Sequence, residues 1–152
     1  FSIGNFVGDD FTIEAWVFRL GGGAQTIVSR YHHTLAKNWR FNVNESNQLQ
    51  FMGFNANNSE IVNFSGSKAL STGTWHHVAV SREDENFRLF LDGILVGTTA
   101  SSEDLHDETK WRLEVGAYMN PSSQRTLPRR AKRGPVSSYS VPIYGQVVDV
   151  VR

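Results

Sequence analysis

Arg40, Asn42 and Asn44 occur at every second position, and after Glu45-Ser46-Asn47 the same spacing returns with Gln48 and Gln50. Guanidinium and carboxamide groups are planar and offer several hydrogen bonds in fixed directions, which suits them to the hydroxyls of a sugar. Side chains on a strand alternate between faces, so these five would share one surface, with Phe41, Val43, Leu49 and Phe51 on the other. Trp39 falls on the apolar side by this alternation. It also opens its strand beside a polar loop, where an indole could stack on a sugar ring. The ligand-binding candidates are therefore Trp39, Arg40, Asn42, Asn44, Gln48 and Gln50. The plainer alternative is a wet outer sheet face.

Other groups offer less chemistry. Retaining glycoside hydrolysis needs two carboxylates about 5 Å apart. Glu14 stands alone between Ile13 and Ala15, Glu83-Asp84-Glu85 falls where a turn is expected, and no strand offers an E-x-D-x-x-E arrangement, so no catalytic residues are assigned. His76 and His77 are strand neighbours and point apart, so they cannot chelate one ion together, and His32-His33 has no third ligand suitably spaced. Cysteine is absent, which excludes disulfides, thiolate metal sites and a cysteine nucleophile. Arg130-Ala131-Lys132-Arg133 resembles a furin-type processing motif and reads equally as a solvated basic loop.

These residues sit in a chain patterned as short strands separated by turns, the signature of a sandwich or barrel. Strands are expected over 11–19, 25–30, 39–44, 48–54, 61–64, 75–82, 110–116 and 144–152, with a hairpin over 87–99 turning on Asp92-Gly93. A short helical turn is expected near 101–107. Residues 119–142, rich in Pro, Ser and Arg, do not alternate and read as an irregular basic loop or insertion. Trp16, Trp75, Val78, Val80, Leu89 and Leu91 are expected in one core, because their strands are the most apolar in the chain.

The segments Phe11-Thr12-Ile13-Glu14-Ala15-Trp16-Val17, Trp75-His76-His77-Val78-Ala79-Val80 and Leu89-Phe90-Leu91-Asp92-Gly93, with the closing stretch from Tyr144 to Arg152, resemble the laminin-G-like and pentraxin-like domains of the concanavalin A-like lectin superfamily. The resemblance implies an all-β, antiparallel two-sheet jelly-roll β-sandwich over residues 1–152, with the last strand beside the first. It further implies calcium held by carboxylates near strand ends, for which Asp9, Asp10 and Asp149 are the candidates. It also implies a non-enzymatic module for adhesion or recognition whose partner is a glycan or glycosylated surface.

Composition limits the alternatives. The chain has 152 residues, enough for one domain that buries its own core, and 15 Lys plus Arg balance 15 Asp plus Glu, so no net field steers it to nucleic acid. No apolar run approaches the length of a membrane span. The sequence opens without Met in what reads as the second half of a strand, as a segment of a longer polypeptide would. An extracellular or virion-surface setting is expected. The rival reading is a structural packing domain of a bacteriophage tail, fibre or capsid, in contact with other structural subunits and without a small ligand.

Overall fold

A computed structural model describes residues 10–32, 36–106, 113–116 and 143–151, with the backbone alone at 36 and 143–151. Its strands are β1 (Phe11–Arg19), β2 (Gln25–His32), β3 (Ala36–Val43), β4 (Gln48–Phe54), β5 (Glu60–Ala69), β6 (Trp75–Glu83), β7 (Asn86–Leu91), β8 (Ile94–Ala100), β9 (Glu114–Val115) and β10 (Ile143–Val151). They form two five-stranded sheets, β10-β1-β6-β7-β8 (sheet A) and β5-β4-β3-β2-β9 (sheet B). The pairings are antiparallel, and β10 lies along β1, so the expected jelly-roll sandwich is what this sequence forms.

Alternation builds the core. Phe11, Ile13, Ala15 and Val17 of β1 turn inward with Val78 and Val80 of β6 and Phe87, Leu89 and Leu91 of β7. They meet Phe41, Val43, Leu49 and Phe51 of sheet B. Phe51 joins the layers, its ring 6.1 Å from Phe11 and 5.9 Å from Phe87. The β7–β8 turn follows from its sequence: Asp92 and Gly93 adopt φ of 52° and 77°, the left-handed pair that a two-residue hairpin matching strand twist requires. Where β8 passes over β5, a Cβ on Gly97 would lie 3.1 Å from the Ser65 carbonyl oxygen, so only glycine lets these edges close so tightly.

Several expectations are corrected. Trp16 and Trp75 are 45% and 50% exposed, on the outer face of sheet A, while Val78, Val80, Leu89 and Leu91 are buried as expected. The reason is phase: Trp16 follows the even-numbered Thr12 and Glu14 outward, and Trp75 is Phe18's cross-strand partner on that face. The strands β3 and β5 start earlier and run longer than expected, and residues 101–106 contain no helix. Asp107, Trp111 and the basic segment 119–142 lie outside the described residues.

Arg19, by sequence only the end of a strand, is fully buried. Its guanidinium donates to Gln25 Oε1 (2.7 Å), the carbonyls of Gly23 (2.8 Å) and Leu70 (3.3 Å), and Asn47 Oδ1 (2.9 Å). Burial lowers its pKa from the ordinary arginine value. The contact with Asn47 fixes the β3–β4 turn, and so the spacing of the polar residues on either side of it.

Candidate functional site

On the outer face of sheet B, the register sets Asn42 across from Gln50, Arg40 across from Met52 and Ser29 across from Arg40. A chain of amide hydrogen bonds crosses three strands. Asn42 Nδ2 donates to Gln50 Oε1 (3.1 Å), Gln50 Nε2 donates to Asn63 Oδ1 (2.9 Å), and Asn63 Nδ2 donates to Glu60 Oε2 (3.3 Å). A carboxylate only accepts, so Glu60 fixes the direction of every amide before it. The head of the chain is therefore a carbonyl. Asn42 is 4% exposed and its Oδ1 has no hydrogen-bond partner among the described residues. A buried acceptor left in this way costs about 1–3 kcal/mol.

Beside this chain, Arg40 Nη2 lies 3.0 Å from Met52 Sδ and the guanidinium sits over the Tyr31 ring at 5.5 Å. The surface thus combines a cation and oriented amides, the groups that engage vicinal hydroxyls. Of the sequence candidates, Arg40, Asn42 and Gln50 are brought together here. Asn44 lies just past β3, where its Oδ1 accepts from the N–H groups of Ser46 (2.9 Å) and Gln48 (3.0 Å) and its Nδ2 donates to Ser65 Oγ (3.1 Å). Asn44 therefore shapes the turn, and half-buried Gln48 opens β4 opposite Ala69. Trp39 is corrected: it is 1% exposed and stacks on Phe51 at 6.5 Å inside the core, where no ligand reaches it. Tyr31, Met52, Asn63 and Glu60 were missed. Asn63 and Ser65 alternate as Gln48 and Gln50 do, a signal lost when that strand was read as 61–64 only.

Of the calcium candidates, the backbones of Asp10 and Asp149 lie apart. Asp9 lies outside the described residues. Asp10 accepts the Asp84 N–H at 2.7 Å and so ties the chain to the β6–β7 turn. The backbone of Asp149 pairs with Glu14, four residues further along β1, an offset of about 13 Å on an extended strand. One ion cannot bridge that separation. Among the described residues, no cluster of three or more His, Asp or Glu is arranged to hold a metal.

Ser71, His76 and Asp92 form another hydrogen-bonded chain, with Ser71 Oγ 2.9 Å from His76 Nε2 and His76 Nδ1 2.8 Å from Asp92 Oδ2. The connectivity is that of a hydrolytic triad, but a triad's acid is buried so that it can stabilise the imidazolium in a low dielectric. Asp92 has a side chain 46% exposed, and Ser71 lies on an open turn. Asp92 Oδ1 also accepts the His77 N–H at 2.9 Å, so the chain works as a brace between the β5–β6 and β7–β8 turns. Burial alone would raise the Asp92 carboxyl; the hydrogen bonds from His76 and His77, with the His76 and Lys68 charges, hold it below its ordinary value.

Comparison with known proteins agrees with the sandwich. A laminin G-type family model, described as Concanavalin A-like lectin/glucanases superfamily, matches residues 2–127. No curated protein sequence matches significantly. Among solved structures, the CBM40 of the Ruminococcus gnavus IT-sialidase bound to α2,3 sialyllactose superposes with a TM-score of 0.61 at 12% identity, over 73% of this chain and 65% of that one. The same module bound to α2,6 sialyllactose gives 0.61 at 10% identity, over 93% and 74%. A candidate carbohydrate binding protein from Bacteroides ovatus gives 0.54 at 17% identity, over 70% of this chain but only 30% of its own. At identities this low, the superpositions show a shared fold alone.

Proposed function

The chain belongs to the Concanavalin A-like lectin/glucanases superfamily, and from that footing we propose that it is a non-catalytic carbohydrate-binding module whose ligand lies on the outer face of sheet B. The observation that carries the reading is the amide chain that starts at buried Asn42 and surfaces through half-buried Gln50 to exposed Asn63 and Glu60, its groups held in fixed directions. Sugar hydroxyls would bond the exposed Asn63 and Glu60 groups at the accessible end of that chain, where each bond polarises the next. Arg40, its guanidinium over the Tyr31 ring, stands beside it to take a second hydroxyl. The superposed carbohydrate-binding modules support the reading through their fold. A module of this kind acts where glycans are displayed, on extracellular or virion surfaces, as part of a larger protein.

The test is a glycan array followed by titration of the retained saccharides. The double variant Arg40→Met, Gln50→Leu keeps volume and removes two hydrogen-bonding groups. Each lost bond is worth about 0.5–1.5 kcal/mol, so affinity should fall about tenfold or more; Gln50→Leu also leaves Asn42 Nδ2 unpaired, so the melting temperature should drop while a cooperative melt is kept. If the parent retains no saccharide, or the variant binds as well as the parent, the face has no such role.

A further inference from the structure

Sheet A carries a second surface that the amide chain does not explain. On its outer face the ladder places Trp16 beside His77 and Phe18 beside Trp75. The rings touch in pairs, with centroids 5.2 Å apart for Trp16 and His77 and 5.5 Å for Phe18 and Trp75. Both indoles are about half exposed, in a protein whose other described indole, Trp39, is buried. Hydrogen-bonding groups border the array at its Trp16–His77 end. Glu14 Oε2 lies 3.3 Å from His77 Nε2, the Asp149 backbone pairs with Glu14 from the β10 side, and the Asp92 turn closes the β7 side.

We infer that Trp16, Phe18, Trp75 and His77 form a second saccharide site, one that takes neutral pyranose rings presenting a flat C–H face. Diagonal neighbours on paired strands stand about 7–8 Å apart, so the two indoles span one to two sugar rings. The same dimension argues against a protein partner: a two-by-two array of side chains covers far less than the roughly 800 Å² per partner of a standard interface. Glu14 and the Asp92 turn set hydrogen-bonding groups beside the Trp16–His77 pair, where a sugar ring stacked on the indoles would present its hydroxyls. The carboxylates of Glu14 and Asp92 and the imidazole of His77 supply acceptors and a donor for ring hydroxyls, and the indoles supply the stacking surface. The site lies on the opposite face of the sandwich from Asn42, so the two would act independently and make the module bivalent.

The experiment uses the whole chain labelled with nitrogen-15, titrated with cellotetraose and with lactose while the indole N–H resonances are followed. Trp16 and Trp75 should shift in a saturable way and Trp39 should not. The surface variants Trp16→Ala and Trp75→Ala should each weaken this binding about tenfold, whereas Arg40→Met, Gln50→Leu should leave it unchanged. Three outcomes overturn the inference: indole resonances that stay put for both sugars, shifts that depend on Gln50 and not on the indoles, or a dimer that Trp75→Ala converts to monomer. Failure of the sheet B site alone would leave the indole shifts intact, so the two readings are judged separately.

Discussion

Trp39 and Trp75 are the same residue type with opposite roles, and their truncation separates the roles. Trp39 is buried against Phe51, so Trp39→Ala should cost about 3–5 kcal/mol. Trp75 loses only half-exposed contacts with Phe18, and its truncation should cost about 1 kcal/mol or less. Urea unfolding of both variants gives the comparison, and a larger loss for Trp75 would contradict the placement. The sequence held the information for this. Weighing the apolar content of whole strands puts Trp16 in the core, whereas counting by twos from Glu14 places it outward, opposite the inward set Phe11, Ile13, Ala15 and Val17. The same counting placed Arg40, Asn42 and Gln50 correctly. The Asn42 carbonyl was not legible, because its isolation depends on Glu60, ten positions beyond Gln50 and on another strand.

Among the elements, the strands and the Asp92-Gly93 turn were legible from alternation and turn chemistry, which are local. Interactions between turns were not, since Ser71, His76 and Asp92 meet only when β6 and β7 are paired. That brace predicts a pH effect. The Asp92 carboxyl is depressed in the folded state, so its contribution is present above the unfolded value of about 3.9 and is lost as pH falls through the folded one. Asp92→Asn should therefore melt below the parent at pH 7, and the gap should close in the acid range below about pH 4. Melting curves across pH 2–7 test this; a gap independent of pH would mean that the carboxylate charge does not matter to the brace.

At the scale of the molecule, two faces of unlike chemistry are held apart by a core that Phe51 spans. The amide face and the ring face differ in what they could hold, polar hydroxyl edges on one and flat apolar ring faces on the other. One superfamily membership is compatible with both, because the fold supplies the strands and the outward residues supply the chemistry.

The position of β10 has a consequence of its own. β1 is an interior strand only because β10 lies along it from Thr12 to Arg19, and a long stretch of chain separates β10 from β9. A backbone cut within residues 117–142, the stretch that contains the Arg130-Ala131-Lys132-Arg133 run, would leave β10 held by its ladder alone. The domain would then be a two-piece assembly, a body with an open slot and a nine-residue plug. Strand addition to an exposed edge is a recognised mode of peptide capture. A body ending at residue 116, mixed with a peptide of residues 143–151, should regain solubility and a cooperative melt that it lacks alone. If the body behaves identically with and without the peptide, the slot is not a receptor for the strand that fills it.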